Sequence, residues 1–103
     1  MRQFDVFKNP SPSTSKYAPY LVIIQSSLTQ TRTTVIVAPL VLPSRIPEQS
    51  RLFPNMRIGT KEFVLSTNEL GAISTKALTE RVASLETERS QIIAAIDMLF
   101  SGF

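Results

Sequence analysis

The sequence predicts a mainly β, mostly antiparallel domain closed by one C-terminal amphipathic helix. Three observations carry this expectation. Two apolar runs rich in β-branched residues, 18–26 (APYLVIIQS) and 33–40 (TTVIVAPL), are separated only by the polar stretch 27–32 (SLTQTR), the arrangement of an antiparallel pair. Two shorter runs, 55–59 (NMRIG) and 61–66 (KEFVLS), meet at Gly59-Thr60, a hairpin signal. From Leu85 onward, apolar side chains recur at Leu85, Ile92, Ile96, Leu99 and Phe103, with Ile93 and Phe100 beside them, which is a helical period. The 103 residues suit a single domain, 1–103, with one modest core.

In chain order, residues 3–8 alternate weakly and resemble a first strand. Residues 9–16 (NPSPSTSK) hold two prolines and four hydroxyl side chains and read as an exposed, mobile loop without core-forming groups. The run 18–26 is a central strand with Pro19 near its entry, where a missing N–H does least harm. Pro43, Pro47 and Pro54 break up 41–54, which leaves short edge strands or a protruding arm. Residues 69–74 (ELGAIS) are expected to form a short last strand. Ser84 is the expected N-cap of the final helix, with Glu86 and Glu88 in its first turn, where negative charge complements the helix dipole.

Composition narrows the chemistry. With no cysteine there is neither a disulfide nor a thiolate metal site, and with no histidine the commonest general base and metal ligand is missing. Ser-His-Asp triads and Cys-His dyads are excluded. The eight acidic residues lack the alternating spacing of a calcium loop, and the three glycines are too far apart to form a phosphate cradle. A metal, a cofactor and catalysis are therefore not expected. The net charge of +3 is spread along the chain rather than gathered into a stripe, so nucleic acid is not an expected direct partner. The N-terminus lacks the apolar core of a signal peptide, and no segment has the length of a membrane span, so a cytoplasmic protein without membrane contact is expected.

Two regions invite a functional reading. Arg32, Thr33 and Thr34 stand between the strong strands, where a small-barrel ribonuclease of the MazF-like type would place catalytic groups; a polar hairpin connection is the simpler alternative. The end of the helix carries the sharper signal. Asp97, Phe100, Ser101, Gly102 and Phe103 place apolar anchors beside polar groups at a terminus, where chains usually fray, so a partner or a second copy is expected to cover them.

Several stretches in register, QFDVFKN (3–9), YLVIIQS (20–26) running into SLTQT, VIVAPL (35–40), FPNMRIG (53–59), LSTNELGAIS (65–74) and IIAAIDMLFSGF (92–103), resemble the CcdB family of bacterial toxins over nearly the whole chain. The resemblance implies an SH3-like small antiparallel β-barrel with an extra small sheet and one long C-terminal helix. It implies a homodimer with the two helix ends near the dyad. It also implies a toxin of a type II toxin–antitoxin system, with the associated role in plasmid maintenance. Such a toxin binds the DNA gyrase A subunit, traps the cleavage complex as a topoisomerase poison, and is released by a cognate antitoxin through a disordered C-terminal segment. By position, the target contacts fall on Leu28, Thr29 and Gln30 in the loop after the second strand, and on Asp97, Phe100, Ser101, Gly102 and Phe103. Where the family commonly has tryptophan, asparagine and isoleucine, this chain has Ser101, Asp97 and Thr29. The net charge of +3 further leads to the expectation that the antitoxin segment is acidic or carries apolar anchors.

Overall fold

A computed structural model describes residues 1–102. Seven strands form one antiparallel sheet: β1 (Asp5–Lys8), β2 (Tyr20–Ile23), β3 (Thr34–Val41), β4 (Asn55–Ile58), β5 (Lys61–Leu65), β6 (Gly71–Ser74) and β7 (Arg81–Ser84); the helix α1 is Arg89–Ser101. The strands lie in the order β4-β5-β3-β2-β1-β7, with β6 also on β3. The sheet curls as a half-barrel, as expected for a small mainly β fold. The expected β2–β3 pair forms, with Tyr20 opposite Leu40 and Ile23 opposite Val37.

The strand β3 organises the sheet because it changes neighbour along its length. Thr34–Val37 pair with β6, while Leu40 and Val41 pair with β5. The step between them is Ala38-Pro39, so the residue lacking an N–H stands at the break in the ladder, where it interrupts least. The β4–β5 hairpin turns at Gly59-Thr60, as its sequence predicts. Gly59 takes φ +62°, a left-handed conformation that glycine adopts without a Cβ penalty. The hairpin continues the same sheet, through the pairs Leu40–Leu65 and Val41–Val64.

Side chains of the central strands are buried on both faces, which explains why β2 and β3 read as continuous apolar runs rather than as an alternation. On the inner face, Val6, Val22, Ile24, Ala38 and Leu40 pack with Met56, Phe63 and Leu65. Leu85 and Ile92 close this layer, and the Tyr20 ring meets Phe63 edge-on at 5.3 Å. On the outer face, Phe7, Leu21, Ile23, Val35 and Val37 gather under Leu78. Burying a side chain the size of Ile92 contributes about 2–3 kcal/mol, so the helix is fastened by its first half.

The structure corrects three expectations. Residues 69–74 do not hold the last strand: β7 follows and pairs with β1, with a register irregularity between Val6 and Phe7. Ser84 is therefore the end of a strand rather than a helix cap, and the helix starts at Arg89 after a 3₁₀ turn at Glu86–Glu88. Leu85 is buried from outside the helix, its N–H donating to the Phe4 carbonyl at 2.9 Å. The signal for β7 was weak because two of its four residues, Arg81 and Ser84, are polar, and it lies at an edge with little to bury.

The second correction concerns 9–16, which is a folded turn. Asn9 Nδ2 donates to Thr14 Oγ1 (2.9 Å) and to the Ala18 carbonyl (2.8 Å), and Asn9 Oδ1 accepts from the Ser11 N–H (3.0 Å). One amide side chain thus replaces the missing apolar contacts. Third, no edge strand forms in 42–54; among these residues only a 3₁₀ turn at Pro43–Arg45 is regular. This arm is tied back by the Leu42 N–H to the Tyr17 carbonyl (2.9 Å) and by the Arg45 guanidinium 4.0 Å above the Tyr17 ring.

Candidate functional site

The apolar sequence of β2 ends in Gln25-Ser26, and these two residues shape the loop that follows. The Ser26 carbonyl accepts the Thr29 N–H (3.0 Å) and the Thr29 hydroxyl (3.1 Å), while Ser26 Oγ accepts the Leu28 N–H (3.2 Å). The loop is a closed turn rather than a slack connection. Leu28 lies at its tip with 96% of its surface exposed. An apolar side chain held this far into water gains no burial from the fold. Thr29 is exposed beside it, and Gln30 is half-buried, its Nε2 donating to the Gln25 carbonyl at 3.0 Å.

The helix supplies the second part. Its first half faces the core through Ile92 and Ala95, both fully buried, with Ile93 and Ile96 partly so. One turn later the pattern departs from the sheet, and Phe100 is 72% exposed. Asp97 and Ser101 are exposed on the same terminal turns, and Asp97 makes no ion pair among the described residues. Gly102 ends the helix at φ +76°, its N–H donating to the Met98 carbonyl (3.0 Å), which is a left-handed cap. Its role in the described structure is to terminate the helix. Phe103, the other expected anchor, lies outside the described residues.

The helix end borders an apolar groove of about 380 Å³. Ile24, Ile36, Leu70 and Ile96 line it, Phe100 stands over one side, and Gln25 forms the wall towards the loop. Of the expected contact residues that the structure describes, only Phe100 lines this groove; the loop residues Thr29 and Gln30 are linked to its edge through their hydrogen bonds with Gln25. Gln25 was not among the residues singled out from sequence. The available signal was an amide closing an apolar strand and preceding a hydroxyl residue, which is too common to stand out.

The residues of the alternative reading are used differently. Arg32, Thr33 and Thr34 are exposed, and the carbonyls of Arg32 and Thr33 accept from the Thr75 hydroxyl (2.7 Å) and N–H (3.0 Å). These bonds splice the start of β3 to the turn after β6. Among the described residues no three carboxylates gather as a metal ion would need. No helix among them is long and apolar enough to cross a membrane.

The family model described as CcdB protein matches residues 3–102. No curated protein matches the chain.

Proposed function

The chain belongs to the CcdB family, and from that premise we propose that it is a toxin that binds the DNA gyrase A subunit and holds the enzyme on cleaved DNA. Family membership makes it the toxin of a toxin–antitoxin pair; the gyrase target is our reading. The observation that supports it is that two large apolar side chains, Leu28 and Phe100, are exposed at the positions where the family resemblance puts the target contacts, Phe100 beside an apolar groove. The action is binding without chemistry of its own, and the partners are a second copy of the chain and an antitoxin with a disordered segment.

Ser101 stands where the family commonly carries a tryptophan. Losing a central aromatic costs about 2 kcal/mol of binding. Phe100, already exposed, is the side chain that offsets part of this. The test is relaxation and supercoiling of plasmid DNA by purified gyrase with the protein added at micromolar concentration. Linearised DNA on denaturation, together with loss of supercoiling, is the expected result. If gyrase works unimpeded and no cleaved DNA accumulates, the target is another molecule.

A further inference from the structure

We infer that Gln25 is the positioning residue of the partner-binding surface, holding the Leu28 loop at a set orientation beside the Phe100 groove. This rests on the toxin reading for the identity of the partner, though not for the geometry. The two ends of the Gln25 carboxamide do different work. Oε1 accepts the Ile36 N–H at 3.0 Å, an attachment to β3, and Nε2 donates to the Thr29 carbonyl at 2.8 Å, an attachment to the loop. Only one orientation of the amide satisfies both partners, an acceptor towards the N–H and a donor towards the carbonyl. The Gln25 main chain adds to this, its carbonyl accepting from the Gln30 side chain.

The loop has no apolar contact of its own to hold it, because its one large apolar side chain, Leu28, points into water. Its order comes from hydrogen bonds, and the Gln25 side chain is the bond that ties it to the sheet beneath. A loop fixed before contact loses less entropy on binding than one ordered by the partner. Gln25 also lines the groove that Phe100 lines, so the side chain that holds the loop borders the helix end.

The two ends of the amide can be separated by substitution. Q25E keeps an acceptor for the Ile36 N–H and removes the donor to the Thr29 carbonyl, placing a carboxylate against it. L28A removes the anchor and leaves the loop bonds intact. Three measurements on the full-length protein decide the matter: amide hydrogen exchange, thermal midpoint, and calorimetric affinity for the gyrase A subunit.

For Q25E we expect the Leu28 and Thr29 amides to exchange at least tenfold faster, with Ile36 unchanged and the midpoint within a few degrees of wild type. Gyrase affinity should fall about tenfold. The double variant Q25E/L28A should bind no more than twofold more weakly than L28A, because a misplaced loop matters only while it carries its anchor. Unchanged loop exchange in Q25E overturns the inference, and so does faster exchange without any loss of affinity. If the wild-type protein fails to bind gyrase at all, the proposed target falls, and the exchange measurement alone then decides whether Gln25 orders the loop.

Discussion

Single residues carry two kinds of work here, and Asp5 illustrates the costly kind. Its carboxylate is almost fully buried at the start of β1. Oδ2 accepts the Arg2 N–H at 3.2 Å. Arg81 Nε stands 3.1 Å from Oδ1 as an ion pair, but its N–H is not aimed at that oxygen, so Oδ1 has no hydrogen-bond donor. The charge is therefore compensated by the Arg2 N–H at Oδ2 and by the nearness of Arg81 at Oδ1, across the β1–β7 edge. Removing Arg81 leaves a buried carboxylate without its cation, whereas removing both partners removes the problem with the pair. Since the Arg81 side chain is about half exposed, R81A should lower stability by about 2 kcal/mol rather than the full cost of a buried pair. D5N/R81A should recover part of that loss. Urea unfolding measures both, and an R81A variant as stable as the wild type would show that water already solvates Asp5. Asp5 and Arg81 are far apart in sequence and belong to no recognisable pattern, so this pairing was not legible before the fold was known.

At the scale of the element, α1 divides its labour along its length. Ile92 and Ala95 are sealed against the sheet and Phe100 is in water, although Ile92 and Phe100 belong to one apolar pattern. A helical period reports which side of the helix is apolar; it does not report where the sheet beneath it ends. The two halves should respond to substitution in opposite ways. I92A opens a cavity and should cost about 3 kcal/mol of stability. F100A should change stability by less than about 0.5 kcal/mol and weaken target binding by about 2 kcal/mol. Chemical denaturation and calorimetry with the gyrase A subunit separate these effects. A large loss of stability in F100A would mean that this ring is structural. The strands show the same limit. β2 and β3 announced themselves because both faces are buried, and the hairpin did so through Gly59-Thr60. β7 leaves no such mark, and Ser84 and Leu85 read as the start of the helix, because a half-polar edge strand running into a helix has no period to mark the boundary.

For the molecule as a whole, the groove between β2, β3, β6 and α1 leaves Ile36, Leu70 and Ile96 partly exposed next to Phe100. The proposed function includes a second copy meeting the first near the helix ends. Sedimentation equilibrium at micromolar concentration should then give twice the monomer mass, and a monomer there would remove the dimer from the proposal. What the sequence determined by itself is most of the content of the fold: apolar runs dictate which segments are buried, and spacing dictates strand or helix. Tertiary structure alone decided which residues share the groove. Gln25 lines the groove that Phe100 also lines, and its amide reaches Thr29 on one side and Ile36 on the other. The physical reason is that burial is a property of each side chain and leaves a local pattern, whereas a hydrogen-bond partner is a matter of position in space, which the order of residues does not encode until the chain has closed on itself.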